Sequence, residues 1–163
     1  MIYKNLLQHV SEYKFWHSYF SVESRHSIHL AVFIEPYLTF LMNGSKTVES
    51  RFSTNKCAPY MAVNQGDAIL IKKAGGPVVG ICHASYVWNY KLNRTSLGEI
   101  KRLFSSSLCI DDEDFWSSKK NSVYATLIKV DHVTSLRPFV IPKRDRRGWV
   151  VVSEPKEQME LQL

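Results

Sequence analysis

Residues 35–51 read Glu-Pro-Tyr-Leu-Thr-Phe-Leu-Met-Asn-Gly-Ser-Lys-Thr-Val-Glu-Ser-Arg, and they predict how the centre of the chain folds. Pro36 suits the first turn of a helix, because the N–H group that proline lacks would be unpaired there. Asn43 and Gly44 then supply a stop, since glycine takes the positive φ with which many helices end. The β-branched and aromatic residues between positions 47 and 52 predict that a strand follows.

Three charged residues, Lys46, Glu49 and Arg51, follow the helix stop within six positions. In a regular strand Glu49 and Arg51 point the same way, because successive side chains alternate between the two faces. Lys46 can join them only if it lies in the turn before the strand. The three charges would then converge at the mouth of a barrel. The alternative is an exposed cluster on a strand edge, which would contribute little to stability.

Short strand patterns separated by turns make up most of the remaining chain. Strands are predicted at residues 28–34, 68–72, 78–88, 122–133 and 149–152, and two further helices near residues 96–104 and 111–117. Ser96 and Glu99 have the spacing of a capping box at the start of the first of these helices. The pattern predicts an α+β fold, a small and mostly antiparallel barrel of about six strands flanked by short helices.

The N-terminal segment is predicted to be one amphipathic helix that reaches to about Phe20, because its apolar residues recur at helical spacing. Residues 1–27 would form a helical extension, residues 28–152 the barrel domain and residues 153–163 a C-terminal tail. Two readings of the helix stay open. It packs on the barrel, or it serves self-association or a protein partner, since so many aromatic side chains would not stay exposed.

The composition indicates a cytoplasmic protein with a phosphate-rich partner. The formal net charge is +6 and the pI is near 9.2, and lysine and arginine gain affinity for RNA by releasing its counterions. The longest apolar run, residues 30–34, is far shorter than the ~20 residues of a membrane span, and no secretory signal is evident. We therefore expect no membrane partner.

The cysteines and histidines indicate neither a disulfide nor a metal site. Cys57, Cys82 and Cys109 are widely separated, and the six histidines are scattered along the chain. None of these residues has the spacing of a metal site. We expect buried, reduced thiols and no cofactor.

The spacing Gly44-x-Lys46-x-x-Glu49-x-Arg51, with Pro36-Tyr37 before it, resembles the signature of the ASCH family, whose members are PUA-like β-barrels. The Gly66-Asp67 turn, the hairpin that ends near Trp88, and residues 124–127 follow in the same order. The resemblance is good over residues 28–90 and looser up to residue 152. It does not include the first 27 residues.

The resemblance implies that Lys46, Glu49 and Arg51 line a cleft that receives RNA, a nucleotide or a modified base. Lysine and arginine would hold phosphate, while the carboxylate would read an amino or imino edge of a base. Tyr37 and two further aromatic residues, Trp88 and Tyr90, are candidates to stack on a base, although each would also fit in the core.

Two groups of basic residues would extend the phosphate-binding surface. The first is Lys72 and Lys73 in the central hairpin. The second is a turn with the residues Lys143, Arg144, Arg146 and Arg147. Solvated turns are the alternative for both groups.

Some members of the family are enzymes. One branch deacetylates N4-acetylcytidine with a lysine, a threonine and a glutamate, and another member is reported as a ribonuclease. Lys46 matches the lysine, but Glu49 stands at the threonine position and no acid is found near Asn93. The resemblance therefore favours a binding module. The alternative is an enzyme on RNA or modified nucleosides, with Lys46 and Glu49 as an acid–base pair.

Overall fold

The computed structural model describes residues 2–22, 25–142 and 146–155. Its helices are α1 (Ile2–Val10), α2 (Lys14–Ser21), α3 (Tyr37–Met42), α4 (Arg94–Leu108) and α5 (Glu113–Ser118). Its strands are β1 (Ile28–Phe33), β2 (Val48–Ser53), β3 (Ala68–Lys73), β4 (Val78–Lys91), β5 (Tyr124–Phe139) and β6 (Trp149–Ser153).

The six strands form one mixed sheet in the order β2-β5-β4-β3-β1-β6. The β1–β3 pair is parallel and the other four pairs are antiparallel. The long strands β4 and β5 carry several register shifts along their pairing, and such irregularities bend and twist a sheet. The sheet is a half-barrel whose two edges are β2 and β6. This confirms the predicted α+β, mostly antiparallel barrel.

Helices cover both faces of the sheet. On β3, Ile69 and Ile71 belong to the core shared with α3, whereas Ala68 and Leu70 belong to the core shared with α1 and α2. This division follows from the alternation of side chains along a strand. A third apolar cluster, which includes Ile100, lies between α4, α5 and the strands β2 and β5.

The N-terminal segment forms two helices, so the prediction of a single helix is wrong. Tyr13 N–H donates to Val10 O at 3.0 Å in the turn between α1 and α2. Trp16 and Phe20 are buried against the sheet, and the Trp16 indole N–H donates to Thr134 Oγ1 on β5 at 2.9 Å. The apolar face is thus used for packing on the sheet, as the first of the two readings expects.

The capping box of α4 differs from the prediction. Asn93 accepts the backbone N–H of Ser96, and Ser96 Oγ accepts the backbone N–H of Asn93. Ser96 is therefore the third residue of the helix and not its cap, and Glu99 takes no part in the box. Asn93 takes the N-cap position because asparagine is among the best N-cap residues.

A buried polar network joins β1 and β6 to the turn before β3. Asp67 accepts hydrogen bonds from the backbone N–H groups of Ser27 (2.9 Å) and Asn64 (2.8 Å), and it lies 2.9 Å from His29 Nε2. The Trp149 indole N–H donates to His29 Nδ1 at 3.1 Å. Because an indole can only donate, Nδ1 must be the acceptor and Nε2 carries the proton shared with Asp67.

The described residues bear on the expectations about membrane spans and about cysteines. None of the described helices is long and apolar enough to cross a membrane. The three cysteines are free: Cys82 is buried, Cys109 is half-buried and Cys57 is exposed. Burial raises the pKa of the Cys82 thiol, as it does for acids in apolar surroundings. The expectation that all three thiols are buried is therefore wrong for Cys57.

We predict that Trp16→Ala lowers the free energy of unfolding by about 3–5 kcal/mol, because it removes a fully buried indole and leaves Thr134 without its donor. Denaturant unfolding measures this change. Val22→Ala is the control, since Val22 is 69% exposed and its truncation should change stability by less than about 0.5 kcal/mol. Equal effects of the two variants would show that the N-terminal helices are not part of the core.

Candidate functional site

The charged residues of segment 46–51 form one chain of contacts. Lys46 lies in the turn before β2, and its Nζ is 3.3 Å from Glu49 Oε2. Arg51 Nε donates to the other carboxylate oxygen, Glu49 Oε1, at 2.8 Å. The structure therefore contains the predicted arrangement, with the lysine before the strand and the glutamate and arginine on it.

The turn after α3 places the lysine. Gly44 has a φ of +84°, which favours glycine, and the chain turns back so that Lys46 N–H donates to Phe40 O at 2.9 Å. The ammonium group then reaches the end of α4, where it donates to Leu108 O at 3.2 Å. Nζ also lies 5.4 Å from the centre of the Tyr37 ring.

Lys46 and Glu49 are buried, with only 3% and 6% of their surfaces exposed. The alternative of an exposed charge cluster on a strand edge is therefore wrong. Removing a charge from water is costly, and a buried pair is tolerated when each partner compensates the other. Here the carboxylate is held by two cations, one at each oxygen.

Arg51 bridges the two edges of the sheet. From β2 its guanidinium donates to Val32 O on β1 at 2.8 Å and to Gly148 O, just before β6, at 3.2 Å. Its Cζ lies 5.1 Å from the centre of the Phe33 ring and 5.3 Å from that of Trp149. These contacts hold β2 against β1 and β6, between which no strand pairing exists in the described sheet.

A cavity of about 290 Å³, which we call the Lys46 cleft, lies beside this cluster. Besides Lys46, Glu49 and Arg51, its lining includes four aromatic side chains, one exposed aliphatic residue and one further lysine: Phe33, Tyr37, Phe52, Phe115, Ile34 and Lys119. Its charged lining comprises three cations and one carboxylate. The cleft is therefore electropositive.

Lys119 is the cation of the cleft that has no carboxylate partner among the described residues. Its Nζ lies 4.8 Å from the centre of the Phe115 ring and 5.6 Å from that of Phe52. Burial lowers the pKa of the Lys119 ammonium, since a low-dielectric surrounding disfavours the charged form. An anionic ligand would supply the partner of opposite charge that the Lys119 ammonium lacks among the described residues.

Tyr37 contributes a protonated hydroxyl to the cleft. Burial raises the pKa of Tyr37, and the carboxylates of Asp112, Asp111 and Glu49 raise it further. The hydroxyl therefore stays neutral at physiological pH and can donate or accept a hydrogen bond.

A comparison with solved structures relates this architecture to a known fold. The ASCH protein of Zymomonas mobilis aligns with a TM-score of 0.62 at 12% sequence identity, over 78% of this chain and 88% of that chain. The chain has an ASCH-domain fold. Two variants of the Zymomonas protein, one with a serine and one with a tyrosine replaced, align with TM-scores of 0.62 and 0.60 at 10% and 11% identity.

The ASCH resemblance seen in the sequence is thus confirmed at the level of the fold. The alignments to the two variants cover 80% of this chain and 92% and 93% of theirs. No protein-family model matches the sequence, and no curated protein matches it.

Three aromatic residues were predicted to stack on a ligand, and the structure places them differently. Tyr37 lines the cleft. Trp88 packs against Phe104 of α4, with ring centres 4.9 Å apart. Tyr90 belongs to the same apolar cluster, and burial and Glu99 raise its pKa. Trp88 and Tyr90 do not line the cleft.

The predicted phosphate-binding residues are also separated. Lys72 and Lys73 pair with Val32 and Phe33 of β1, but neither lysine lines the Lys46 cleft. Lys143 and Arg144 lie outside the described residues. Arg146 and Arg147 are exposed and precede Gly148, whose carbonyl oxygen accepts from Arg51. The end of the basic turn is therefore next to the site.

Sequence reasoning missed Phe52, Phe115 and Lys119 in the cleft. Phe52 directly follows Arg51, so its position next to the motif was a signal. Phe115 lies on α5 and Lys119 is the C-cap residue of that helix, more than sixty residues further along the chain. Nothing in the spacing of the motif indicates that α5 packs there.

We predict that Glu49→Ala lowers the free energy of unfolding by about 3–5 kcal/mol, because it leaves the buried Lys46 ammonium without its carboxylate. The matched control is Glu113→Ala. Glu113 lies closer to its partner Lys101, at 2.6 Å, but the two side chains are 74% and 40% exposed. We expect this change to cost less than about 1 kcal/mol. Chemical denaturation measures both, and equal losses would contradict the role of burial.

Proposed function

We propose that this protein binds RNA or a nucleotide-like ligand in the cytoplasm through the Lys46 cleft. The observation that carries the proposal is the composition of the cleft. It combines a cation that has no carboxylate partner among the described residues, Lys119, with an arginine whose donors are not all used by those residues and with aromatic walls.

The remaining donors of Arg51 and the ammonium of Lys119 suit a phosphate. A guanidinium has five N–H groups, and three of those of Arg51 are used by Glu49, Val32 and Gly148. Two therefore remain for a ligand. Charge-assisted hydrogen bonds from arginine and lysine to phosphate are among the stronger polar contacts in proteins.

The aromatic side chains suit a base. Phe52 and Phe115 lie on the Lys119 side of the cleft, and Tyr37 lies on the side of Lys46. Stacking of a base on an aromatic ring contributes roughly 1–3 kcal/mol. A volume of about 290 Å³ is at the lower end of ligand pockets, which start near 300 Å³. The cleft therefore suits one nucleotide.

The alternative, an enzyme on RNA or modified nucleosides, would need a Lys46–Glu49 pair that is free to move protons. Both oxygens of Glu49 are engaged by cations, and Lys46 Nζ also donates to Leu108 O. A base must reach the proton that it removes, and these contacts hold the carboxylate to Arg51 instead. The geometry favours a role in positioning Arg51 for binding.

RNA is also favoured over a protein as the partner. The apolar face of α1 and α2, the candidate surface for a protein or for self-association, is covered by the sheet. The net charge of +6 suits a polyanion.

We predict that a fluorescently labelled single-stranded oligonucleotide binds this protein with a salt-dependent affinity, and that Lys119→Ala weakens the binding. Anisotropy titrations between ~50 and ~200 mM salt would measure the affinity of both proteins. The removal of one phosphate contact should reduce the slope of log K against log salt by about 0.7. Arg51→Ala should weaken binding as well. Circular dichroism would establish that each variant is folded.

Arg137→Ala is the control, since this arginine is exposed on β5 and does not line the cleft. Affinity that is independent of salt would contradict the proposal. An equal loss in Arg137→Ala and Lys119→Ala would contradict it too.

We also predict that Lys119→Met stabilises the protein at neutral pH while it weakens binding. Burial lowers the pKa of Lys119 below its ordinary value of 10.5. The folded state therefore holds fewer protons than the unfolded state between these two pKa values, and stability rises with pH in that window. The stability that Lys119→Met gains over the wild type should be fully present at pH values below the lowered pKa and should vanish above pH 10.5. Unfolding curves measured from pH 7 upward test this, and a variant less stable at pH 7 would refute it.

A further inference from the structure

A second and larger cavity lies on the other side of α5. This α4–α5 cavity has a volume of about 850 Å³. Leu97 of α4 and the buried Trp116 of α5 contribute apolar surface to it, and Arg94 and Lys101 contribute positive charge. Its walls are the two helices and the segment that follows α5.

Both cavities have lining residues at the C-terminal end of α5. Phe115 and Lys119 line the Lys46 cleft, whereas Trp116 and Lys120 line the α4–α5 cavity. Lys119 and Lys120 are consecutive, so their Cα atoms are about 3.8 Å apart. These two consecutive lysines therefore place one cation in each cavity.

The charges of the two cavities are alike. The α4–α5 cavity has three cations, Arg94, Lys101 and Lys120, and one carboxylate, Glu113. The carboxylate is paired with Lys101 at 2.6 Å, so Arg94 and Lys120 have no carboxylate partner among the described residues that line the cavity. The Lys46 cleft likewise combines three cations with one carboxylate. A ligand with two anionic groups would complement the charge of both cavities.

We propose that the ligand is a single-stranded RNA that occupies both cavities and crosses the end of α5 between Lys119 and Lys120. This inference rests on the proposed function and goes beyond it, since a mononucleotide would fill only the Lys46 cleft. Single-stranded nucleic acids bind where a positively charged path follows their backbone and apolar rings receive their bases. Linking two such subsites raises the affinity of the connected ligand above that for either half.

The experiment compares uridine monophosphate with oligouridylates of increasing length, by calorimetry for the mononucleotide and by fluorescence anisotropy for the oligomers. We expect the oligomers to bind at least about ten-fold more tightly than the mononucleotide, because binding at the second subsite becomes intramolecular once the first is occupied. Arg94→Ala and Lys120→Ala should each weaken oligomer binding and lower the salt slope by about 0.7. Both should leave mononucleotide binding unchanged.

Arg102→Ala is the matched control, since Arg102 is exposed on α4 and lies outside the cavity lining. Gly98→Phe tests the cavity itself. Gly98 lines the cavity and a Cβ atom there meets nothing within 4 Å, so a phenylalanine ring would fill part of the cavity, and phenylalanine suits a helix better than glycine. We expect this variant to bind the oligomer no more tightly than the mononucleotide.

Two results would overturn the inference while leaving the proposed function in place. One is equal affinity for the mononucleotide and the oligomers. The other is an unchanged oligomer affinity in Lys120→Ala, Arg94→Ala and Gly98→Phe. If neither the mononucleotide nor any oligomer binds, the proposed function fails together with the inference.

Discussion

The structure depends on one carboxylate, that of Glu49, which is held by a cation at each of its oxygens. Lys46 approaches Oε2 from the turn after α3, and Arg51 donates to Oε1 from the strand. The anchored guanidinium then reaches across the open side of the half-barrel to the carbonyl oxygens of Val32 and Gly148. A sheet with two free edges exposes unpaired backbone groups, and here a side chain supplies part of the missing pairing.

The same guanidinium connects the cluster to the buried network on the other side of the barrel. Arg51 lies beside the Trp149 ring, whose indole N–H donates to His29, and His29 contacts Asp67. One chain of polar and aromatic contacts thus runs from β2 through β6 and β1 to the turn before β3.

The charges near the cleft divide into two kinds. Lys46 and Glu49 are buried and compensate each other, so their first role is to hold Arg51 in place. Lys119, the C-cap residue of α5, lies beside two aromatic rings and has no carboxylate partner among the described residues. A partly buried charge without a partner lowers stability, and such costs are common at functional sites. The compensated ion pair and this ammonium line the same cleft.

The local features of this protein follow from short stretches of its sequence. The glycine stop at Gly44, the strand after it and the alternation of side chains were enough to predict that Lys46, Glu49 and Arg51 converge, because these features depend on neighbours a few residues apart. Only packing between distant elements brings Arg51 to Gly148, 97 residues away, brings Lys119 to the cleft at the end of α5, and places Trp88 and Tyr90 in the apolar cluster with α4. It also divided the N-terminal segment into two helices that pack on the sheet. Contacts between distant segments follow from how whole elements pack together, and no periodicity or spacing within one segment encodes them.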